Sequence, residues 1–87
     1  MADDLYWMEW AADSGNPDDN VFASFEDAPT LAGGLVELLN KLGEADSRNA
    51  RLQLGEGSWA QLTAALEPGK QGEMDLPNGR LYFGLAQ

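Results

Sequence analysis

Cysteine and histidine are both absent from this 87-residue chain. Without cysteine there is no disulfide framework. Without either residue, the usual zinc ligand sets and the Ser-His-Asp and Cys-His arrangements of nucleophilic catalysis are excluded. The commonest general base goes with them. Positive charge is scarce: five Lys and Arg stand against fifteen Asp and Glu, a formal net charge of -10. There is no run of about 18 apolar residues, so no membrane-spanning helix is expected. The opening residues, MADDLYW, lack the basic and apolar regions of a signal peptide. A cytoplasmic setting is the expectation. No GxGxxG or Walker sequence is present, so a phosphate cradle is not supported.

The acids are unevenly distributed. Residues 3–27, DDLYWMEWAADSGNPDDNVFASFED, hold eight of the fifteen and no Lys or Arg. The same stretch holds two of the three Trp, one Tyr, two Phe and a Met. A segment both this apolar and this anionic reads as an ordered hairpin that shows its charge to a partner. Such a field repels phosphates and anionic membranes. Neither direct nucleic-acid binding nor membrane binding is expected. A basic protein surface would be attracted, and encounter with it accelerated.

The length makes one domain, residues 1–87, with a small core. Residues 4–12 read as a strand, with Tyr6, Met8 and Trp10 on one face and Leu5, Trp7 and Glu9 on the other. At least one of Trp7 and Trp10 therefore belongs to the core. Residues 13–20, DSGNPDDN, read as a hairpin loop. Their acids and amides fail the EF-hand pattern, so solvated loop is the expectation rather than a calcium site. Residues 21–26 form a second strand, with Val21, Ala23 and Phe25 opposite Phe22, Ser24 and Glu26.

The clearest helix spans residues 30–42, with Leu31, Leu35, Leu38, Leu39 and Leu42 as its apolar stripe. Asp27 or Thr30 caps it, and Gly43 ends it. Gly33 and Gly34 suggest close approach to the sheet. Residues 44–48 read as a polar connection and 49–54, NARLQL, as a third strand with Ala50, Leu52 and Leu54 inward. Residues 58–67 start with a capping box, Ser58 and Gln61, and Trp59 falls on the apolar face. Residues 73–76 and 80–86 flank Pro77-Asn78-Gly79, a hairpin signal, with Leu81, Phe83 and Leu85 inward.

The expected fold is therefore α+β: a mainly antiparallel sheet of four to five strands with one long and one short helix, in the order β-β-α-β-α-β-β. Two carboxylates can hydrolyse glycosides, but a domain this small has little room for the cleft. Asp18, Asp19 and Glu26 are residues of the type that binds magnesium, yet acidic surface residues are far commoner than metal sites. No enzymatic activity, cofactor or metal is expected.

The leading functional expectation is an inhibitor that binds a basic surface of a nucleic-acid-handling protein or complex. Trp7, Glu9, Asp13, Asp18, Asp19, Glu26 and Asp27 are the candidate contacts, the carboxylates standing in for phosphates. Asp3 and Asp4 read as a frayed terminus. In size and charge the chain resembles small acidic phage proteins that block host defence complexes (anti-CRISPR-like proteins), and also immunity proteins and antitoxins that neutralise toxins. No sequence motif carries this likeness. The alternative from another class is a structural homodimer or adaptor whose acids provide only solubility charge.

Overall fold

A computed structural model describes residues 5–86. Asp3 and Asp4 lie outside the described residues. The N-terminal hairpin consists of β1 (Tyr6–Ala12) and β2 (Val21–Phe25), joined by a loop with one 3-10 turn at Pro17–Asp19. Three helices follow: α1 (Ala28–Leu42), α2 (Glu44–Leu54) and α3 (Trp59–Ala64). A second hairpin, β3 (Gln71–Leu76) and β4 (Gly79–Leu85), completes one four-stranded antiparallel sheet in the order β2-β1-β4-β3. The expected α+β class and antiparallel sheet are present.

Strand alternation divides the sheet. Met8, Trp10, Met74, Leu76, Leu81 and Phe83 turn to one face and are buried there with Leu31, Leu35, Leu38 and Leu39 of α1, Ala50 of α2 and Trp59 of α3. Trp59 meets Phe83 edge-on, ring centroids 5.7 Å apart at 81°, an arrangement that aromatic quadrupoles favour. The helices thus cover one face, and the shortest dimension, 20 Å, accommodates one sheet and one helical layer.

The helix α1 starts at Ala28, two residues before the expected start. Asp27 is its cap: the carboxylate accepts the Thr30 N–H at 2.9 Å and also the Thr30 hydroxyl. Of the two glycines expected to allow close approach, Gly34 does so, since a Cβ there would run into the Phe25 ring. Gly33 is exposed with open space around it.

The expected connection at 44–48 and third strand at 49–54 are instead one helix, α2. Segment 44–54 holds Glu, Ala, Arg, Leu and Gln, good helix formers, and no β-branched or aromatic residue. Six alternating residues cannot distinguish the two periods. The buried stripe is helical, Asp46 and Ala50 with Leu54 partly covered, while Leu52 is 75% exposed. The order of elements is therefore β-β-α-α-α-β-β. A single residue, Gly43 at φ 112°, separates α1 from α2, a backbone state that favours glycine.

Asp46 is fully buried in the first turn of α2. Its two carboxylate oxygens accept the backbone N–H of Asn78 at 3.1 Å and the Asn78 side-chain N–H at 2.6 Å. The helix thereby holds the β3–β4 turn.

Candidate interaction surface

Among the described residues, no helix covers the other face of the sheet. Strand register builds it row by row. Glu9 in β1 lies opposite Phe22 of β2 on one side and Tyr82 of β4 on the other, and Tyr82 lies opposite Glu73 of β3. Phe22, Glu9, Tyr82 and Glu73 therefore form one row across all four strands, aromatic and acid in alternation. Adjacent strands are about 4.8 Å apart, so the two carboxylates stand about 10 Å apart at their strand positions. The next row is Ser24, Trp7, Gly84 and Gln71.

Phe22 is 66% exposed, whereas Trp7 and Tyr82 are half-buried. Leu5, on the same face by alternation, is also exposed. Trp10 is buried on the opposite side of β1, so at least one of the two tryptophans belongs to the core, as expected. Exposed aromatic groups of this kind favour interfaces.

The charge on this face is mostly negative. Arg80 is held by Asp75 directly across from it, Nε to Oδ1 at 2.5 Å. Hydrogen bonding to Asp75, and then to Tyr82, raises the affinity of the guanidinium for its proton. Gln71 donates to Glu73 at 2.9 Å. Among the described residues, neither Glu9 nor Glu73 has an ion-pair partner.

The remaining candidate acids lie at the two ends of the N-terminal hairpin. Asp13, Asp18 and Asp19 occupy the β1–β2 loop, which is tied by its own side chains. Asn16 Oδ1 accepts the Asp18 N–H at 3.1 Å, Ser14 Oγ donates to Asp19 at 2.6 Å, and Asn20 Oδ1 accepts the Ala12 N–H at 2.9 Å. Glu26 and Asp27 follow β2 at its far end. Hydrogen bonds from the Thr30 side chain and backbone hold the Asp27 carboxyl below its ordinary pKa, so this residue has a structural role as a cap.

The five-residue strand separates Asp18 and Asp19 from Glu26 by about 20 Å, so these three acids do not converge on one ion. Among the described residues, no group of three or more His, Cys, Asp and Glu side chains is placed to hold a metal. The candidates thus form three groups: Trp7 with Glu9 on the sheet face, the loop acids, and the pair after β2. Sequence reasoning missed Phe22, Tyr82 and Glu73. The signal for Phe22 was the alternation of β2 itself, because pairing the hairpin across loop 13–20 brings it beside Glu9.

No family model, curated protein or solved structure matches this chain.

Proposed function

We propose that this domain is a non-enzymatic inhibitor that lays its helix-free sheet face on a basic surface of a nucleic-acid-handling protein or complex. The row of Phe22, Glu9, Tyr82 and Glu73 carries this reading. Its aromatic side chains supply the apolar contact that dominates binding energy. Its carboxylates, with those of Asp13, Asp18, Asp19 and Glu26 around the hairpin, take the place of phosphates against Lys and Arg. The net charge of -10 accelerates encounter. A phage protein directed against a host defence complex is the setting this chemistry suits best. An immunity protein or antitoxin directed against a nuclease would use the same face.

The test is a pull-down from nuclease-treated bacterial lysate at about 0.1 M salt and again near 1 M, where the Debye length falls to about 3 Å. The expected result is a basic nucleic-acid-binding protein that is released by salt, competed by added DNA or RNA, and lost with the double variant Trp7→Ala, Phe22→Ala. Recovery of the protein alone, indifferent to salt, would replace this reading with self-association.

A further inference from the structure

The two edges of the sheet are protected differently. On β3, Glu73 and Asp75 carry charge, and Gln53 of α2 donates to the backbone oxygen of Asp75. Charge and cover of this kind stop other strands from adding to an edge. The other edge, β2, reads VFASF and has neither charge nor proline.

The backbone groups on that edge can be identified. Ala12 N–H points toward β2, where it meets Asn20, and Leu5 C=O points toward β4, where it meets Ala86 N–H. Alternation along β1 then directs the N–H and C=O of Tyr6, Met8 and Trp10 at Phe25, Ala23 and Val21. Those of Phe22 and Ser24 point outward. Among the described residues they have no partner.

Beside this edge runs an open groove of about 260 Å3 between β2 and α1, lined by Val21, Ala23, Phe25, Gly34 and Leu38 with Glu37 and Lys41 on its rim. At Gly34 its wall is closely packed, the Phe25 ring filling the space a Cβ there would take. An unpaired edge beside such a groove is the arrangement by which extended peptides are bound through their backbone, with alternate side chains entering the groove.

The charges at the ends of the edge select the occupant. Asp18 and Asp19 precede β2, and Glu26 and Asp27 follow it. A second copy pairing antiparallel would set Asp18 and Asp19 against Glu26 and Asp27 of the copy at both ends, like charge against like. We infer that the β2 edge binds an extended segment of a partner protein, apolar at alternate positions over about five residues and flanked at both ends by Lys or Arg. This rests on the proposed basic character of the partner and adds a second contact to it, at right angles to the sheet face.

The experiment uses the 15N-labelled protein and a synthetic peptide, Lys-Arg-Val-Thr-Val-Thr-Val-Lys-Arg. Controls carry Glu in place of the basic residues, or N-methyl groups on alternate amides. With the basic peptide, exchange of the Phe22 and Ser24 amides is expected to slow by about tenfold or more, the scale of two new hydrogen bonds. Both controls should bind at least about tenfold more weakly. Ser24→Pro removes an outward donor at a position where an edge strand tolerates proline, and should weaken binding similarly while leaving the β1–β2 amides protected. The N-methylated peptide gives the same comparison on the unaltered protein.

Absence of binding by the basic peptide would overturn the inference. So would equal binding of the Glu-flanked peptide. Shifts confined to Trp7 and Tyr82 would also overturn it, but would leave the sheet-face reading intact. Protection of Phe22 and Ser24 that rises with protein concentration alone would assign the edge to a second copy and overturn it too.

Discussion

The indole of Trp7 lies across Gly84 on the neighbouring strand. A Cβ at Gly84 would stand 3.0 Å from Cζ2 and 3.1 Å from Cε2 of the ring, and 2.9 Å from the Lys70 carbonyl oxygen. The glycine is therefore the bed on which the surface tryptophan rests. Gly84→Ala should lift the ring, at a cost of about 1–3 kcal/mol, the usual range for overpacking. Denaturant titration measures the cost, and easier acrylamide quenching of Trp fluorescence reports the displaced ring. An unchanged midpoint and unchanged quenching would show that the ring has no need of that bed.

Trp7 and Trp10 occupy opposite faces of β1, so their replacement should separate binding from stability. Trp10→Ala removes a buried side chain and should cost about 3–5 kcal/mol, a large share of what holds a small domain together. Trp7→Ala should cost only about 1–2 kcal/mol of stability. It should nevertheless reduce partner affinity by about tenfold or more. Thermal melts and binding measured on the same two variants make the comparison.

The cap at Asp27 gives a pH dependence with a definite sign. Hydrogen bonds from Thr30 lower the carboxyl pKa in the folded state from the ordinary 3.8. The cap therefore stabilises fully above the unfolded value and loses its effect as pH falls through the folded one. Asp27→Asn keeps a good capping group with no charge to lose. The difference in melting temperature between wild type and variant should be flat near neutrality and should change only in acid, below about pH 4. A difference that changed near pH 6 would contradict the assignment.

The buried Asp46 joins α2 to the exposed Asn78 of the β3–β4 turn. Asp46→Ala leaves the Asn78 amide without its acceptor, and the expected cost is about 1–3 kcal/mol. Hydrogen exchange at Asn78 should accelerate more than exchange in β1. Uniform acceleration would mean that the pair acts only through global stability.

The helical reading of 44–54 is testable at two positions that a strand would have placed on the same face. Leu52→Lys should change stability by no more than about 0.5 kcal/mol, as expected of an exposed site. Ala50→Lys should prevent folding, because Ala50 is wholly buried. Equal damage from both would restore the strand.

The sequence signalled wherever one period ran long enough or a turn was chemically distinct. The alternation of β1, the leucine stripe of α1, the Ser58 cap and the Asn78-Gly79 turn each had a local cause, and each appears in the structure. At α2 the local pattern is ambiguous, because Ala50, Leu52 and Leu54 fit alternation over six residues while the full helical stripe starts at Asp46. A buried acid is not anticipated from sequence, since its justification is Asn78, 32 positions away. The surface was legible only in part for the same reason. Trp7 and Glu9 are neighbours in the chain, but Tyr82 and Glu73 join them only through pairing between distant strands.

The central pair of the sheet, β1 with β4, joins strands roughly 70 residues apart in the chain. On a ribosome adding roughly 5–20 residues per second, β1 waits about 4–14 s for the strand that will lie beside it. Throughout that interval an aromatic segment and the uncharged strand VFASF emerge with no sheet to enter. Like charge of the kind crowded into the first 27 residues opposes pairing of such segments between neighbouring chains while the sheet is incomplete.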